Sequence, residues 1–579
     1  MNRAWIRTML VLSVFSVVFL ALVVGSYRLE SATMDEPVHL LAGYTALRLR
    51  DYRVDPEHPP FLRMWAALPL LAMPEINLDT NRVDWRKDNQ WSFSHQFLYE
   101  DNDADHLLYR ARFMIALLGV LLGILVFCWA RELFGFWPAV IALGFYCVEP
   151  NLVAHSGLVT TDLGATCFIF GTVYFAWRSS RNFGFGNLLG LATFFALAHI
   201  SKYSAVLLGP IVFLLLLSRA LSGAPWPCRL VPQKLITSRR RKALLVVLTT
   251  VGLLATAYGA LWGAYAFRYA PTPRGAGRFV TAEKAKDLFP RAARLVRWVE
   301  DYRLLPNTCV QGFAIMTTGT QSKMGYLLGQ RSVKGWWYYF PVALLVKTPL
   351  ALLTLSIAGL MLCVARWKTA PLDLAFILGP PAVYFGIAMA GHLNIGLRHV
   401  LSIYPFVLLL AGSAIAVLST ATRPAKRRRR LVLAVLCLAQ LVEFGAVYPH
   451  CLAFFNASIG GPRQGAKYLV DSNLDWGQGL KQLGRWMVDH HVRHINLSYF
   501  GNSDPAYYGI DYTPLPSSPF SDLELIPRPR LPGYVAVSAT NLRGAYMFER
   551  HFYEPLWERK PVAVLGYCIY IYWVEQPWW

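Results

Sequence analysis

Two adjacent carboxylates stand where the chain leaves its first strongly apolar segment. Asp35 and Glu36 follow the apolar run 9–25 and open a long polar segment. An ionisable side chain at a membrane boundary is costly unless it faces a cavity or a partner, so its presence indicates a function. A carboxylate in that position can take a proton from an incoming nucleophile. The pair therefore predicts acid–base chemistry at the depth of lipid head groups.

Further charged residues stand at the ends of other apolar runs. Asp162 lies between the third and fourth runs, and Lys202 lies between the fifth and sixth. Lys347 lies within the eighth run, and Arg398 and His399 begin the tenth. Counting the runs puts all of them on the side of the first carboxylate pair. Fixed cations there can stabilise a phosphate that departs with its bonding electrons.

These residues also have structural interpretations. Asp35 and Asp162 stand where a helix is predicted to begin, and Asp is common at helix N-termini. Lys202 can extend its amine to the membrane surface from a tight connection. Glu57 and His58 could ligate a metal, but a Glu-His pair between prolines more often anchors a loop, and no third ligand is evident. The common side of the charges is the stronger argument for a site.

The elements that must position these residues are membrane helices. The chain has 579 residues, of which 55% are hydrophobic and 16% charged, and its mean hydropathy is +0.36. This balance excludes an ordinary soluble protein. Several of the apolar runs are shorter than the roughly 20 residues of a straight span. The eleven runs predicted to span are 9–25, 112–130, 138–154, 163–177, 186–200, 203–218, 243–266, 340–364, 371–390, 400–419 and 431–448.

The net charge of +22 orients the chain. Segments 219–242 and 423–430 are strongly basic and contain no acidic residue. Threading eleven spans puts both segments in the cytoplasm, as the positive-inside rule requires. The N-terminus is then cytoplasmic, the first run is an uncleaved anchor, and the C-terminus is extracytoplasmic. We expect a multi-pass protein of the plasma membrane, of the bacterial inner-membrane kind, that binds no nucleic acid.

The change in hydropathy along the chain predicts two domains. Residues 1–448 form a membrane domain with outer loops at 27–108 and 267–335, and residues 449–579 form an extracytoplasmic α/β domain. The apolar stretch 61–73 is too short to span and predicts an interfacial or re-entrant helix. The finer predictions are an amphipathic helix at 283–301, a helix at 477–490, and strands at 494–500, 534–539 and 562–574. The spacing of the nine cysteines suggests neither a zinc site nor a disulfide framework, although Cys309, Cys451 and Cys568 face the oxidising side and could pair.

Several stretches resemble the GT-C membrane glycosyltransferases of the lipid-carrier-dependent family 39. That family contains the protein O-mannosyltransferases and the lipid A aminoarabinose transferases. The resemblance covers nearly the whole chain and implies a polytopic all-α membrane domain of GT-C type, with the eleven helices counted above, followed by an α/β domain. The matching stretches are Asp35-Glu36, Asp55–Pro60, Thr161-Asp162, Lys202, Tyr339–Pro341, Lys347–Pro349, Arg398-His399, Pro405 and Tyr468–Gln478.

The resemblance also implies roles for single residues. Asp35 would be the catalytic base, with Glu36 shaping the site or orienting the acceptor. Asp162 would be a second acidic residue of the cavity. The carrier phosphate would be bound by Lys202, Lys347 and Arg398. The other cavity candidates are Glu57, His58 and His399.

The donor implied by the resemblance is a sugar linked to a polyprenyl phosphate. No cofactor is implied, and a divalent cation is compatible with the family. Two departures from the family pattern matter. The large inserted domain of eukaryotic protein mannosyltransferases is missing, so a protein acceptor is not implied. His399 stands where relatives often carry tyrosine, which weakens a detailed role for it.

The leading hypothesis is an integral-membrane, inverting glycosyltransferase that acts on an extracytoplasmic lipid, glycan or protein. The main alternative is a transporter or flippase of a lipid-linked saccharide, which predicts charges near the bilayer midplane and often two related halves. Here the charges lie at one face, and the two halves show no obvious similarity. A membrane scaffold is a third hypothesis, but the long first loop exceeds what an anchor requires.

Overall fold

The structure is a computed structural model that describes residues 3–230, 235–273, 290–319, 323–419, 425–518 and 528–578. Most of the described chain is helical, and three small sheets are present in it. The helices are α1 (Arg3–Tyr27), α2 (Glu36–Arg48), α3 (Phe61–Ala67), α4 (Val83–Arg86), α5 (Gln90–His95), α6 (Ala104–Phe134), α7 (Phe136–Cys147), α8 (Pro150–Ser156), α9 (Asp162–Arg181), α10 (Phe185–His199), α11 (Leu208–Leu221), α12 (Arg239–Ala264), α13 (Pro290–Asp301), α14 (Asn307–Gly319), α15 (Tyr339–Lys347), α16 (Leu350–Ala365), α17 (Pro371–Ala390), α18 (Tyr404–Ser419), α19 (Ala425–Val447), α20 (Leu480–Asp489), α21 (Ala539–Leu542) and α22 (Glu554–Trp557). The strands are β1 (Trp226–Pro227), β2 (Leu235–Ile236), β3 (Gly325–Leu327), β4 (Gln330–Ser332), β5 (Ile495–Ser498), β6 (Tyr512–Pro514), β7 (Gly533–Ser538), β8 (Ala563–Leu565) and β9 (Ile569–Val574).

Each of the eleven predicted membrane runs coincides with helical structure. Among the described residues, seven helices are long and apolar enough to cross a membrane, and two bent pairs raise that number to nine. The remaining two runs are α9 and α10. α10 has only 15 residues, and α9 is buried along most of its length, packed against α10 and α6. A helix surrounded by protein needs no apolar surface, so α9 can carry hydroxyl side chains. The prediction of a polytopic helical membrane domain is confirmed.

The predicted span 340–364 is a sharply bent pair of helices. α15 and α16 meet at 119°, and Thr348 between them has an extended backbone with ψ 132°. Pro349 causes this break, because proline lacks the amide hydrogen and pushes the preceding residue out of the helical region. Lys347 therefore ends a helix at the bend, although the sequence placed it inside one continuous span.

The first outer loop packs against the membrane bundle as short helices. α3 continues into the 3-10 helix Leu68–Ala72, which confirms a non-spanning helix at 61–73. α2 and α3 touch at Gly43, where an added Cβ would lie 2.1 Å from the carbonyl oxygen of Arg63. Only glycine permits this approach. The contact brings the turn that precedes α3 beside the start of α2.

The C-terminal domain is built on a mixed five-stranded sheet in the order β6-β5-β7-β9-β8. β5 pairs in parallel with β6 and β7, whereas β9 pairs antiparallel with β7 and β8. Two separate apolar clusters pack on the sheet, one of them built around Leu480 and Leu483 of α20. The prediction of a C-terminal α/β domain is confirmed.

The finer predictions for this domain met mixed outcomes. The run 562–574, predicted as one strand, is a hairpin in which Leu565 pairs with Ile569. Gly566 and Tyr567 form its turn with positive φ, and an apolar turn of this kind leaves no polar signal in the sequence. The helix at 477–490 is observed as α20, and the strands at 494–500 and 534–539 are observed as β5 and β7. β6 was not predicted.

Two further predictions concern covalent and amphipathic features. All nine cysteines are free, so the pairing left open for Cys309, Cys451 and Cys568 is not formed. Each of the three is buried separately in the fold. The amphipathic helix predicted at 283–301 is described only from Pro290, as α13, and its earlier part lies outside the described residues.

The segment between α19 and α20 packs with the membrane helices. Leu452, Leu469, Leu474 and Trp476 lie in the same buried apolar cluster as residues of α1, α6 and α9. Residues that follow the last membrane helix thus contribute to the core of the membrane domain. This packing brings the C-terminal part of the chain to the site described below.

Candidate active site

A cavity of about 520 Å³ lies where the first outer loop meets the C-terminal domain. Among the described residues, its lining contains five carboxylates and three Lys or Arg side chains, so negative charge is in excess. Glu36 and Lys347 are not among the lining residues. The predicted site residues that line it are Asp35, Glu57, His58, Asp162, Lys202, Arg398 and His399.

Arg398 links two of the acidic residues that line the cavity. Its Nη1 lies 3.2 Å from Asp35 Oδ2 and 3.5 Å from Asp162 Oδ2. Its guanidinium also lies over the ring of Trp476, with Cζ 4.2 Å from the ring centroid. The buried Nε has no hydrogen-bond partner among the described residues. A planar, permanently charged group with an unused N–H suits the binding of a phosphate.

Asp162 is held between two cations. Lys202 Nζ forms a short ion pair with one carboxylate oxygen of Asp162, and Arg398 approaches the other. Only 2% of the Asp162 side chain is exposed, against 23% for Asp35. Asp35 occupies the N-cap position of α2 but makes no capping hydrogen bond. Asp35 is therefore the more accessible carboxylate, and its side chain does not serve as a helix cap.

The C-terminal domain supplies one wall of the cavity, and no sequence pattern indicated that these residues lie at the site. Asp471, Trp476 and Tyr546 line the cavity. The Tyr546 hydroxyl donates a hydrogen bond to Asp471, and burial raises the pKa of that carboxyl above its ordinary value. Trp476 lies in a stretch marked by the family resemblance. Its contact with Arg398 joins distant positions of the chain, so no local signal could have revealed it.

Glu36 lies outside the cavity in a sealed ion pair. Its fully buried carboxylate accepts hydrogen bonds from Arg112 Nε at 2.8 Å and Nη2 at 2.6 Å. The backbone N–H groups of Thr33 and Val159 donate to it at 2.8 and 2.9 Å. Burial raises the pKa of Glu36, but the charge and hydrogen bonds of Arg112 outweigh burial and lower it below its ordinary value. Arg112 also donates to three carbonyl groups of segment 27–31, which fixes the chain just before Asp35.

Lys347 is likewise buried away from the cavity. Its Nζ donates to the carbonyl oxygens of Leu452 at 2.8 Å and Asn473 at 2.6 Å. The side-chain oxygen of Asn473 accepts the backbone N–H of Leu397 at 2.9 Å, next to Arg398. Lys347 is therefore connected to the residues next to Arg398 through these hydrogen bonds and does not line the cavity.

A buried turn holds Glu57 and His58 at the cavity. Asp55 in this turn has a φ of 51°, and its backbone N–H donates to Gln90 Oε1 at 2.8 Å. A left-handed aspartate is uncommon but tolerated. Burial raises the pKa of Asp55, but the opposite effect of the charges of Arg63 and His58 is larger. The pKa of Asp55 therefore lies below its ordinary value. Burial and the charge of Asp55 raise the pKa of Glu57.

A second cavity, of about 460 Å³, adjoins the first and is lined mainly by apolar side chains of α9, α17 and the 3-10 helix Tyr203–Leu207. A third cavity of about 680 Å³, almost wholly apolar, also reaches Lys202. The charged residues thus lie where polar space meets apolar space. The ionisable residues common to the first two cavities are Glu57, His58, Asp162, Lys202, Arg398 and His399.

A protein-family model matches one segment that carries part of this site. Residues 105–231 match the model of a family described as dolichyl-phosphate-mannose-protein mannosyltransferase. The match covers residues 105–231 and not the rest of the chain. It includes Asp162 and Lys202, and it confirms the predicted resemblance to lipid-carrier-dependent glycosyltransferases over these residues. A search of curated protein sequences finds no match to the chain.

Comparison with solved structures finds matches to membrane enzymes at low sequence identity. ArnT from Cupriavidus metallidurans bound to undecaprenyl phosphate is 11% identical with a TM-score of 0.44, and the alignment covers 99% of this chain and 98% of that chain. An Archaeoglobus fulgidus oligosaccharyltransferase tethered with an acceptor peptide is 14% identical with a TM-score of 0.46, covering 88% of this chain and 59% of that chain. Its complex with an inhibitory peptide and a dolichol-phosphate is 13% identical with a TM-score of 0.45, covering 83% and 58%.

Proposed function

We propose that the protein is an inverting glycosyltransferase that moves a sugar from a polyprenyl phosphate to an acceptor outside the cytoplasm. The observation that carries the proposal is the meeting of a polar and an apolar cavity at Asp162, Lys202 and Arg398. A substrate with a phosphate between a sugar and a hydrocarbon chain fits that arrangement. The family of residues 105–231 supports the same donor class.

Asp35 is the proton acceptor in this proposal. A hydroxyl or amine of the acceptor attacks the anomeric carbon while its proton passes to Asp35. The bond between that carbon and the phosphate oxygen breaks, and the carrier phosphate leaves with the bonding electrons. Arg398 and Lys202 stabilise the charge that develops on the phosphate. Attack opposite the leaving group inverts the configuration of the sugar.

Three acidic or basic residues near this centre act by positioning others. Asp162 keeps Lys202 and Arg398 in place, since it pairs with both. Glu36 fixes the segment before Asp35 through Arg112, and Lys347 holds the residues next to Arg398. None of these three roles requires contact with the sugar.

The basic segments support an outer location for the cavity. α11 follows Lys202 and runs to the basic segment 219–242. The helical stretch Leu397–Ser419 carries Arg398 in its first turn and leads to the basic segment 423–430. The cavity and the basic segments are thus at opposite ends of the same helices. The positive-inside rule then puts the N-terminus in the cytoplasm and the cavity at the outer face.

An Asp35→Asn variant tests the proton acceptor. The amide keeps the size of the side chain but cannot accept the proton, so sugar transfer should fall by about 10²–10⁴-fold. The measurement is release of polyprenyl phosphate from a labelled donor in native membranes, which contain the acceptor. The control Glu75→Gln removes an exposed carboxylate of the same loop and should keep the wild-type rate. A near-normal rate in the Asp35→Asn variant, with normal expression, would remove Asp35 from the mechanism.

An Ala388→Trp variant tests the apolar cavity as the carrier site. Ala388 lines that cavity, so the indole should fill it and raise the KM for a long-chain donor more than for a donor with a short prenyl chain. Val383 lies on the same helix, is exposed and does not line the cavity. The control Val383→Trp should leave both KM values unchanged. Equal effects of the two substitutions would move the carrier elsewhere.

A further inference from the structure

Two histidines and an aspartate converge beside the cavity at unusual distances. Ligand atoms of His39, Asp55 and His58 all lie within 4.8 Å of one another. His39 Nε2 is 3.5 Å from Asp55 Oδ2, and His58 Nδ1 is 3.3 Å from Asp55 Oδ1. The His58 contact is a long hydrogen bond, and the His39 contact exceeds the roughly 2.7–3.2 Å of ordinary N–H···O hydrogen bonds. Ligands bound tetrahedrally at roughly 2.0–2.2 Å from an ion are about 3.3–3.6 Å apart, which matches both distances.

The two ring nitrogens of His39 have different partners. His39 Nδ1 lies 2.8 Å from the carbonyl oxygen of Val159, which can only accept a hydrogen bond. His39 therefore donates Nδ1–H to Val159, and its other nitrogen, Nε2, faces Asp55 Oδ2 at 3.5 Å. Metal-binding histidines commonly donate their other nitrogen to a carbonyl in this way.

The facing oxygen of Asp55 is also unsatisfied. Oδ2 is buried and receives no hydrogen bond from any described residue. Arg63 Nη1 lies 2.8 Å from it, but that nitrogen donates to the backbone carbonyls of Val54 and Asp55. An Arg Nη group has two hydrogens, so none remains for the carboxylate. Arg63 offsets the charge of Asp55 and fixes the turn without occupying the space in front of His39.

The charge of the cavity favours an additional cation. The described residues that line it carry two more carboxylates than Lys and Arg side chains. The excess negative charge would oppose an anionic phosphate, whereas a divalent ion would offset it.

The His39 and His58 rings are 5.2 Å apart and stand nearly perpendicular, so both can direct a nitrogen at one point.

We propose that His39, Asp55 and His58 bind a divalent metal ion, with Zn²⁺ preferred, in a site open to the cavity. Two imidazoles and one carboxylate are a donor set typical of zinc sites that keep a position open for water or substrate. His58 lines both the polar and the apolar cavity, so the open position faces their junction. The bound ion supplies positive charge beside Arg398 and Lys202. The link to a carrier phosphate rests on the proposed function, whereas metal binding does not.

Metal binding to the purified full-length protein in detergent tests the site. After chelator treatment and removal of the chelator, the wild type should bind one equivalent of Zn²⁺ in titration calorimetry. His39→Gln and His58→Gln should each weaken binding by at least about 100-fold, since loss of even an outer partner costs about 10–100-fold. The control His490→Gln removes an exposed imidazole of the C-terminal domain and should bind as the wild type does.

The outcomes separate this site from the proposed reaction. Asp35→Asn should retain wild-type Zn²⁺ affinity even where sugar transfer is lost, so failure of one proposal leaves the other standing. His58 is partly exposed, so its variant should fold even where the buried His39 variant does not. Chromatographic profiles of the metal-free variants check this. Absence of stoichiometric Zn²⁺ binding in the wild type, or unchanged affinity in a folded His58→Gln protein, would overturn the site.

Discussion

The open charge cluster around Asp35 and the sealed pair of Glu36 with Arg112 differ in almost every physical respect, although the two carboxylates are adjacent in the chain. In the open cluster, Arg398 is shared between Asp35 and Asp162 at 3.2 and 3.5 Å. In the sealed pair, Arg112 holds Glu36 with two hydrogen bonds of 2.6 and 2.8 Å. One carboxylate faces a cavity, and the other is fully buried.

The lengths of the contacts and the exposure of each carboxylate distinguish a group that can react from a group that stabilises the fold. A carboxylate whose oxygens all accept short hydrogen bonds has nothing left for a substrate, and its removal leaves an unpaired buried cation. A carboxylate with longer contacts and partial exposure can exchange partners during a reaction. Successive side chains at the start of a helix point to different sides, so Asp35 faces the cavity while Glu36 points into the protein core.

The largest expected effect is on stability, from Glu36→Gln. The substitution leaves Arg112 without its counter-charge in a buried site, so we expect a loss of about 3–5 kcal/mol in the free energy of unfolding. Thermal stability in detergent measures it. The control Glu132→Gln breaks a half-exposed pair with Arg178 at 3.7 Å and should cost about 1 kcal/mol or less. Equal effects of the two would show that the Glu36 pair is not a stabilising element.

The next effect is on donor handling, from Asp162→Asn. Without this carboxylate, Lys202 and Arg398 lose the group that fixes both, and misplacement of this kind can cost about 100-fold in rate. We expect kcat/KM for the donor to fall about 10–100-fold, mostly through KM. Asp373→Asn, which removes the partner of Arg181 at the far end of α9, is the control and should have no effect on KM. An unchanged donor KM would separate Asp162 from the phosphate site.

A smaller effect is expected from Trp476→Leu. A cation over an aromatic face contributes about 0.5–2 kcal/mol, so loss of the ring under Arg398 should lower kcat/KM roughly 2–30-fold. Trp476→Phe keeps an aromatic face and should recover much of the loss. The same assay of polyprenyl phosphate release measures both. If Phe and Leu were equally impaired, the aromatic contact would not position Arg398.

The smallest effect concerns Asp475, a buried carboxylate that forms no ion pair with any described residue. Asp475 accepts a backbone hydrogen bond from Thr540 at 2.9 Å, and burial raises its pKa to about 7. A raised pKa in the folded state means that the stability it contributes is present at low pH and is lost as the pH rises through about 7. Asp475→Asn should therefore raise the melting temperature at pH 8 relative to the wild type, with little change near pH 4. A uniform shift at both pH values would contradict this explanation.

Sequence reasoning reached the membrane helices and most of the cavity residues, because both leave local signals. A run of apolar residues indicates a helix wherever it occurs, and a charge at its end indicates a boundary. Asp35, Asp162, Lys202 and Arg398 were found in this way, and the structure brings them together. Their chemical roles stay predictions.

The features that the sequence missed depend on contacts between distant segments. Arg112 lies inside α6 and gave no sign that it pairs with Glu36, and Trp476 gave none that it lies over Arg398. His39 gave no metal signal, because its spacing from Asp55 follows no common motif. Lys347 ends a helix and does not lie inside a continuous span, because Pro349 breaks the helical run.

The contact of Trp476 with Arg398 has a consequence for biosynthesis. The first outer loop carries Asp35, and the wall that closes its cavity comes from residues 471, 476 and 546. A ribosome synthesises these residues only after the membrane helices, and long after Asp35. The cavity therefore remains incomplete while the helices insert, and a chain truncated before residue 471 carries Asp35, Asp162 and Arg398 without the wall that faces them.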